Sequence, residues 1–502
     1  MARKLITALL LFILFWQSGS SSDHPKREFR GAWIHTVGNQ LFRTMSSDSI
    51  QNYLRQTLDK LEMAGVNAVI FQVRPQADAL YKSELEPWSR FITGEQGKAP
   101  EPAWDPLEFM IEESHKRGME LHAWCNPYRV TSNDTEQLHP SHLYFRNPSI
   151  FKRYGTQLYF DPGEPASIKH TVEVIADIVS RYNVDAIHFD DYFYPYPIQF
   201  EEFHDDASFV KYAKQQGFEY WQKADWRRNN VTTLIKQLND TIKAIKPWVR
   251  FGISPFGIHR NHKDTPDGSG SMTNGLSNYE QLYADVPLWV KEGWIDYNVP
   301  QLYWKIGHPA ADYKTLIEWW DKSNHGGHLY IGQSIGTFRE PDVENPAKTQ
   351  FEAKMRMVRE LPNVHGNVWW PGWTIASNPN GFADSLENRY QKYPSLIPAY
   401  THLDTIPPPP VEKLSYRNAT IRWEVSKISD PMQQPHFFAV YRFPEGVGRD
   451  ISNPEYLLKL VKEPYYKPKD DKSEKKRYYY VVTAIDRCWN ESEPGEALRV
   501  RH

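Results

Sequence analysis

Two consecutive carboxylates, Asp190 and Asp191, end a short apolar stretch and precede a run of aromatic residues. The stretch 184–191 predicts a buried strand. Side chains alternate between the two faces of a strand, so Asp190 shares a face with His188 and Asp191 starts on the opposite face. A carboxylate at the end of an apolar strand costs desolvation energy unless it is paired or used. We therefore expect Asp190 to do chemistry and Asp191 to brace the following loop.

Glycoside hydrolysis is the reaction that most directly needs carboxyl groups in such a place. Two of them flank the bond, about 5–5.5 Å apart in retaining enzymes and roughly 6.5–9.5 Å apart in inverting ones. Asp190 is the predicted nucleophile or base. Its acidic partner is open between Glu86, in the loop after the second predicted strand, and Asp225, in the motif Asp-Trp-Arg-Arg. Asp161, before the fourth helix, also qualifies.

An alternation of strands and helices predicts how these residues are brought together. Eight strands alternating with helices over about 350 residues predict an α/β fold, the (β/α)8 TIM barrel, whose functional residues lie at the C-terminal ends of the strands. The barrel domain is predicted over 27–400. Its strands are predicted at 27–35, 67–74, 120–126, 184–191, 249–254, 296–304, 328–334 and 366–370, and its main helices at 46–65, 105–117, 168–182, 231–245, 311–322 and 345–361.

Amide, arginine and aromatic side chains are concentrated at the predicted strand ends. Amides and Arg can hydrogen-bond sugar hydroxyls, and aromatic rings can stack on sugar faces. The 18 Trp of the chain favour the same interpretation, although large aromatics also fill cores. The predicted substrate-binding residues are Trp33, Gln72, Arg74, Trp88, Trp124, Asn126, Tyr128, His188, Asp191, Tyr192, Ser254, Gln301, Tyr303, Trp304 and Trp370.

The C-terminal part of the chain predicts a second, smaller domain. A run of four prolines, 407–410, indicates a stiff linker, which we place at 401–411. Residues 412–502 contain short alternating strands at 420–424, 438–442 and 478–485, which predict a small all-β sandwich. The last of these, with the following Asn-Glu-Ser, resembles a fibronectin type III module. It carries no catalytic constellation, so we interpret it as a spacer or adhesion module.

The N-terminus has the pattern of a signal peptide, predicted at 1–20. Arg3 and Lys4 precede an apolar run, 5–16, that is too short to span a bilayer, and small residues follow it. No Cys follows the run, so no lipid anchor is expected and the mature protein has no predicted membrane anchor. These features predict an exported protein, periplasmic or extracellular.

Composition and charge exclude several other classes of function. The formal net charge is −3, which gives no electrostatic case for a nucleic-acid partner or an anionic membrane surface. Cys125 and Cys488 are the only cysteines and lie far apart, which excludes a disulfide scaffold and a thiolate metal cluster. The sequence also lacks a glycine-rich phosphate loop and a serine-esterase elbow. No cofactor and no metal are predicted.

Two alternatives to a glycosidase stay open at the level of residues. The run His-Phe-Asp-Asp, 188–191, superficially resembles the metal-binding acidic pair of polysaccharide deacetylases. That chemistry usually brings two His four residues apart, whereas the closest His pairs of this sequence are three residues apart. The other alternative is a non-catalytic barrel that binds glycans through its Trp-rich cleft.

The motifs together resemble the glycosyl hydrolase-like 10 family of bacterial exported proteins. The resemblance implies a TIM-barrel glycosidase-like domain outside the cytoplasm, and it implies peptidoglycan as substrate, especially strands that lack stem peptides. One departure is Ala77, where the family pattern has Gly. The matching segments are Phe-Arg-Gly-Ala-Trp at 29–33, Gln-Val-Arg-Pro at 72–75, Glu-Pro-Trp-Ser at 86–89, His-Ala-Trp-Cys-Asn-Pro-Tyr-Arg at 122–129, His-Phe-Asp-Asp-Tyr-Phe-Tyr-Pro at 188–195, Ala-Asp-Trp-Arg-Arg-Asn at 224–229, Gly-Ile-Ser-Pro-Phe-Gly at 252–257 and Pro-Gln-Leu-Tyr-Trp at 300–304.

Overall fold

The computed structural model describes residues 24–468 and 476–501. The predicted signal peptide, 1–20, lies outside this part of the chain. The strands are β1 Phe29–Ile34, β2 Ala68–Arg74, β3 Glu120–Cys125, β4 Phe151–Tyr154, β5 Gln157–Phe160, β6 Ala186–Phe189, β7 Arg250–Ile253, β8 Tyr297–Asn298, β9 His328–Ser334, β10 Val364–Trp370, β11 Glu412–Arg417, β12 Thr420–Glu424, β13 Phe437–Pro444, β14 Leu457–Val461, β15 Tyr465–Tyr466, β16 Arg477–Ile485 and β17 Leu498–Arg501.

The α-helices alternate with the strands of the first part of the chain. None of them, within the described ranges, has the length and apolar character needed to cross a bilayer. They are α1 Ser47–Met63, α2 Arg90–Thr93, α3 Pro106–Lys116, α4 Leu143–Arg146, α5 Pro165–Arg181, α6 Asp206–Tyr212, α7 Lys223–Ile245, α8 Val286–Lys291, α9 Tyr313–Ser323, α10 Ile335–Phe338, α11 Phe351–Glu360, α12 Trp373–Ser377 and α13 Phe382–Ser385.

Eight parallel strands close into a barrel in the order β1-β10-β9-β8-β7-β6-β3-β2. The predicted barrel is confirmed, and each predicted strand corresponds to one of its members. Two of them, β6 and β8, are only half as long as predicted or less. β6 ends at Phe189, so neither carboxylate of the acidic pair belongs to the strand. β8 has only two residues, because Pro300 follows it and has no N–H to donate to the ladder.

The helices begin and end close to the predicted positions where capping signals are clear. In α3, the Asp105 side chain accepts hydrogen bonds from the N–H groups of Leu107 and Glu108, and Pro106 occupies the first turn. α7 begins eight residues before the predicted start of its helix, at Lys223 rather than 231. α11 begins only at Phe351, because 345–350 form an irregular loop instead.

A hairpin of β4 and β5, which the sequence analysis did not predict, covers the loop that follows β3. Its strands pair antiparallel, and Tyr159 of β5 also bridges to Arg129 in that loop. Gly155 occupies the turn with a φ of 56°, a conformation that suits glycine. The hairpin therefore fixes the position of the segment that carries Arg129.

The C-terminal part is all-β, as predicted. It forms one antiparallel sheet in the order β11-β12-β15 and a second in the order β14-β13-β16-β17. Apolar residues from both sheets, such as Trp423 and Phe438, form a small core. Phe437 of the second sheet and Trp489, in the segment after β16, join the apolar cluster inside the barrel. The sheets thus pack against the end of the barrel where the strands begin.

Candidate active site

A cavity of about 220 Å³ lies at the C-terminal ends of the barrel strands. Most of its lining comes from residues that follow or end β1, β2, β3, β6, β7, β8 and β10. Both carboxylates of the acidic pair open into it. The lining residues are Trp33, Val37, Gln72, Trp124, Arg129, Asp190, Asp191, Tyr192, Tyr196, Ser254, Gln301, Tyr303 and Trp370.

Asp190 is held in place by donors from the neighbouring strand. Its Oδ2 accepts hydrogen bonds from Trp124 Nε1, at 3.1 Å, and from Asn126 Nδ2, at 2.5 Å. Its Oδ1 accepts only the backbone N–H of Tyr192, at 3.3 Å. β3 and β6 pair in parallel, with Trp124 opposite His188, so the donors reach Asp190 just past the strand end. Oδ2 therefore fixes the position of the carboxyl group, and Oδ1 is the oxygen that faces the cavity.

Asp191 lies beside Asp190 in the same cavity, which corrects the expectation that it points the other way. The alternation of side chains ends with β6 at Phe189, so it does not apply to the two residues that follow. Asp191 Oδ2 accepts a hydrogen bond from the hydroxyl of Tyr196. The Gln301 side chain also stabilises its charged form by hydrogen bonding. The site thus contains two adjacent buried carboxyl groups.

The two carboxyl groups perturb each other. Burial raises the pKa of Asp190 to about 7, and the negative charge of Asp191 adds to the effect, although Arg129 opposes it. Burial also raises the pKa of Asp191, against the hydrogen bonds from Tyr196 and Gln301. Two like charges this close resist joint ionisation, so the pair holds a proton near neutral pH. A proton donor and a charged carboxylate are therefore present in one site.

Arg129 is the cation in the lining of the cavity, and the sequence analysis did not include it in the binding set. Its guanidinium lies 4.9 Å from the centre of the Tyr192 ring, and its Nε donates to the Pro75 carbonyl, at 3.1 Å. No acceptor for its two terminal nitrogens occurs among the described residues. It can therefore bind an anionic group while it stabilises the charged form of the carboxylates.

His188 lies beneath the cavity rather than in its lining. The Trp33 indole nitrogen, which can only donate, is 3.2 Å from His188 Nε2, so this nitrogen carries no proton. His188 Nδ1 then donates to the Tyr297 hydroxyl, at 3.0 Å. Burial lowers the pKa of His188 well below its usual value, with His122 as a further cause. The neutral imidazole orients Trp33 from below.

A family model described as "Glycosyl hydrolase-like 10" matches residues 28–350. The chain belongs to the glycosyl hydrolase-like 10 family. The match covers the segments quoted above for the resemblance, from Phe29 in β1 to the residues that follow β8.

Curated relatives of this glycosyl hydrolase-like 10 protein are named as glycosyl hydrolases. It is 38% identical to the "Glycosyl hydrolase YngK" of Bacillus subtilis (strain 168), over 98% of this chain and 97% of the relative. It is 37% identical to the "Glycosyl hydrolase DigH" of Escherichia coli (strain K12), over 70% of this chain and 84% of the relative.

Two solved structures with low sequence identity are similar to this glycosyl hydrolase-like 10 chain. The glycoside hydrolase domain of PgaB (BpsB) from Bordetella bronchiseptica is 11% identical, with a TM-score of 0.47, and covers 72% of this chain and 99% of its own. The catalytic domain of the beta-amylase from Paenibacillus polymyxa is 11% identical, with a TM-score of 0.48, and covers 73% of this chain and 98% of its own.

Glu86 does not lie in the cavity of this family member. Its carboxylate forms a buried ion pair with Arg74, at 2.5 Å, and lies 2.9 Å from His170 Nε2. Burial alone would raise the pKa of Glu86, but Arg74 and His170 lower it to about 2. A group that stays ionised at neutral pH cannot donate a proton. The structure therefore places Glu86 in an ion pair outside the cavity, and not opposite Asp190 as expected.

Asp225 is likewise remote from the acidic pair. It lies in the first turn of α7, half-exposed, and forms an ion pair with Arg228, at 2.5 Å. The third candidate, Asp161, accepts hydrogen bonds from the Ser208 hydroxyl and the Gly163 N–H. Both side chains stabilise local structure, and neither lines the cavity. Neither of these expected partners lies beside Asp190, and the carboxyl group that the structure places there is Asp191.

The other predicted binding residues divide into two groups. Those that line the cavity are Trp33, Gln72, Trp124, Asp191, Tyr192, Ser254, Gln301, Tyr303 and Trp370. Those that lie behind or beside it are Arg74, Trp88, Asn126, Tyr128, His188 and Trp304. Asn126 still acts on the site, because it links Asp190 to Gln72, whose Nε2 donates to its Oδ1 at 2.7 Å. Tyr196 and Val37 join the lining without having been predicted.

A convergent set of possible metal ligands occurs at the opposite end of the barrel. Within the described residues, His115, Asp185 and His436 form the group whose ligand atoms lie within 4.8 Å of one another. Lys462 Nζ lies 3.1 Å from His436 Nδ1 and can only donate to it, so the proton of a neutral ring is on Nε2, the nitrogen that faces Asp185. Asp185 lies 2.7 Å from His115 and 2.8 Å from His436, so the group is an electrostatic contact between the barrel and the C-terminal sheets.

Proposed function

We propose that this protein is an exported glycoside hydrolase that cleaves glycosidic bonds in a bacterial glycan, peptidoglycan strands in particular. The observation that carries the proposal is the pair Asp190 and Asp191, buried side by side in a cavity with aromatic walls. A buried carboxyl with a pKa of about 7 beside a second carboxylate supplies the proton donor and the negative charge that cleavage of a glycosidic bond uses.

The chemical role of the pair follows from its protonation. Protonation of the leaving oxygen by one carboxyl makes the sugar a better leaving group, and the nearby negative charge stabilises the oxocarbenium-like transition state. Burial strengthens both effects, because the site has few water molecules to compete for the charges. Trp33, Trp124 and Trp370 can stack on sugar rings and hold them against the carboxyl groups.

Peptidoglycan as the substrate rests on the resemblance to the family and on one local charge. In a strand without stem peptides, the lactyl group of each muramic acid carries a free carboxylate. A stem peptide converts this carboxylate into a neutral amide. Arg129 offers two terminal nitrogens without acceptors among the described residues, in a fork that suits a carboxylate. This supports a preference for strands without stem peptides.

Export and the role of the C-terminal sheets belong to the same proposal. The N-terminal pattern of 1–20 would direct the chain to the periplasm or the outside of the cell, where peptidoglycan lies. The two antiparallel sheets of three and four strands support a fibronectin type III-like module over 412–502. Its hydrogen bonds to the base of the barrel are consistent with a support rather than a second enzyme.

Mass analysis of products from purified cell-wall sacculi tests the function against its alternatives. Sacculi with and without stem peptides are incubated with the mature protein. The proposal expects new reducing ends, and more of them from the strands without stem peptides. Bound strands without new ends would instead make it a glycan-binding barrel. Release of acetate from intact strands, lost on chelation, would make it a metal-dependent deacetylase.

A further inference from the structure

The carboxylates that line the cavity all come from one segment, the residues that follow β6. Asp190 and Asp191 are the acidic residues among its lining, and they are consecutive. Other buried acids of neighbouring segments are engaged elsewhere, as Glu86 is with Arg74 and Asp161 is with Ser208. Any mechanism at this site has to operate with two carboxyl groups that leave the end of the same strand, β6.

Such a pair does not suit the usual division of labour in a glycosidase. A nucleophile or base must reach the sugar on the side opposite the leaving oxygen, while the acid reaches that oxygen itself. Consecutive Cα atoms are about 3.8 Å apart, so both groups approach the sugar from one side. Separate neighbours hold each of them there, Trp124 and Asn126 for Asp190 and Tyr196 for Asp191. The displacing atom must then come from the substrate.

We propose that the site acts by substrate-assisted catalysis on 2-acetamido sugars, with Asp190 as the acid and Asp191 as the group that binds and orients the acetamide N–H. The inference rests on the proposed glycosidase function and deepens it. Substrate-assisted glycosidases are a known exception to the two-carboxylate rule. Here the acetamido group of the substrate supplies the nucleophile in place of a carboxylate on the opposite side of the sugar, which the described lining does not provide.

The roles follow from how each carboxyl is held. Oδ2 of Asp190 is occupied by two donors, so Oδ1 is the oxygen left to carry and deliver a proton. Asp191 is stabilised as the charged form by the Tyr196 hydroxyl and the Gln301 amide, as an acceptor for an N–H requires. The hydroxyl of Tyr303 lines the cavity and has no partner among the described residues, so it can donate to the acetamide oxygen.

The reaction balances with these groups alone. The acetamide oxygen bonds to C1 while the bond from C1 to the leaving oxygen breaks. That oxygen keeps the electron pair and takes the proton of Asp190, and Asp191 takes the N–H proton, which leaves a neutral oxazoline. Water then bonds to C1 and gives a proton to Asp190. The oxazoline C–O bond opens, nitrogen recovers its proton from Asp191, and the product retains its anomeric configuration.

Two substrates and one inhibitor test the inference on the full-length mature protein. Fully N-acetylated strands are compared with strands that have been chemically de-N-acetylated. The inference expects cleavage of the first and at least a 100-fold slower cleavage of the second, on the scale of effective molarity that an intramolecular nucleophile supplies. The 2-methyl thiazoline of N-acetylglucosamine is a stable analogue of the oxazoline. It is expected to inhibit competitively, with an inhibition constant far below the KM of the glycan strand.

Variants separate the two roles. On an aryl glycoside of an N-acetylglucosamine oligomer, whose leaving group needs no proton, kcat/KM reports only the steps up to departure of that group. Asp190→Asn is expected to lower this kcat/KM by under 10-fold and to lower kcat/KM on natural strands by about 10³-fold. Asp191→Asn is expected to lose about 10³-fold on both. Equal cleavage of de-N-acetylated strands, or indifference to the thiazoline, overturns the inference and leaves the glycosidase function standing. No cleavage of either strand overturns the function and the inference together.

Discussion

The indole nitrogen of Trp489, in the segment between β16 and β17, donates a hydrogen bond to Glu120, the first residue of β3 at the base of the barrel. Arg250 donates to the same carboxylate, and the other carboxylate oxygen lies 2.8 Å from His122 Nε2. His122 Nδ1 lies 2.8 Å from the hydroxyl of Tyr297, which also contacts His188 below the cavity. A continuous polar chain thus links the C-terminal sheets to the floor of the site.

Replacement of Trp489 by Phe is expected to destabilise the whole protein. Glu120 stays buried but loses one of its donors, which costs about 1–3 kcal/mol. The free energy of unfolding from urea titration measures the loss. Trp423→Phe is the matched control, because Trp423 is also buried but its indole nitrogen has no hydrogen-bond partner within the described residues. Equal losses in the two variants would show that the bond to Glu120 contributes nothing.

The pH dependence of kcat/KM is expected to report the acidic pair. The acid must be protonated, so activity falls as the pH rises through about 7, the pKa to which burial and Asp191 raise Asp190.

The Asp190 carboxyl has a higher pKa in the folded than in the unfolded protein. The stability that its protonation provides is therefore full below about pH 3.8 and is lost as the pH rises through about 7.

Asp190→Asn is therefore expected to be more stable than the natural protein at pH 8. Since a difference of one in pKa corresponds to about 1.4 kcal/mol, the gain at pH 8 is at most about 4 kcal/mol. Urea titrations of both proteins at pH 8 and pH 4 measure it. A constant difference between the two proteins across this range would contradict a raised pKa at Asp190.

Removal of the charge of Arg129 by substitution with Gln is expected to change both pH dependence and specificity. The fall in kcat/KM should move to higher pH, because Arg129 lowers the pKa of both carboxyls. KM should rise about 10- to 100-fold on strands with free lactyl carboxylates, which is the range for loss of a hydrogen bond to a charged group. KM should stay unchanged on carboxyl-amidated strands. Arg356→Gln, at an exposed position of α11, is the control. An equal KM change on both substrates would rule out carboxylate recognition.

Glu86→Gln is expected to lower stability more than activity. The substitution removes the charge that pairs with Arg74. Because the pKa of Glu86 is lowered from 4.5 to about 2, the free energy of unfolding at pH 7 is expected to fall by about 3 kcal/mol. The contribution is full above about 4.5 and is lost as the pH falls through about 2, so the two proteins should converge in acid. Urea titration measures stability, and Glu84→Gln at an exposed position is the control. Loss of kcat with unchanged stability would restore Glu86 as the acid.

The barrel could be predicted because its strands are apolar and its helices are amphipathic with clear caps. The hairpin of β4 and β5 was missed although it carries a signal, since buried Phe151 and Tyr154 flank more exposed residues before a Gly turn. Such short strands bury too little on their own to stand out from a loop. Their position depends on contacts with the segment after β3, which sequence pattern does not reveal.

Asp190 could be placed from sequence, but its partner could not. Alternation along a strand predicted opposite faces for Asp190 and Asp191, and it failed because the strand ends at Phe189, before both residues. Glu86 also carries a carboxylate and follows a strand at an equally plausible position, and its ion pair with Arg74 is visible only in the structure. Ala77 has a φ of 50°, so the Gly of the family pattern would fit there without the strain of a side chain.

The rate at which Asp190→Asn releases reducing ends from peptidoglycan strands without stem peptides tests the central claim most directly. Asp225→Asn, the same change at a half-exposed position on α7, is the matched control. The account predicts a loss of about 10³-fold or more for Asp190→Asn, with natural activity in Asp225→Asn and a folded protein in both. Natural activity in Asp190→Asn would contradict the account.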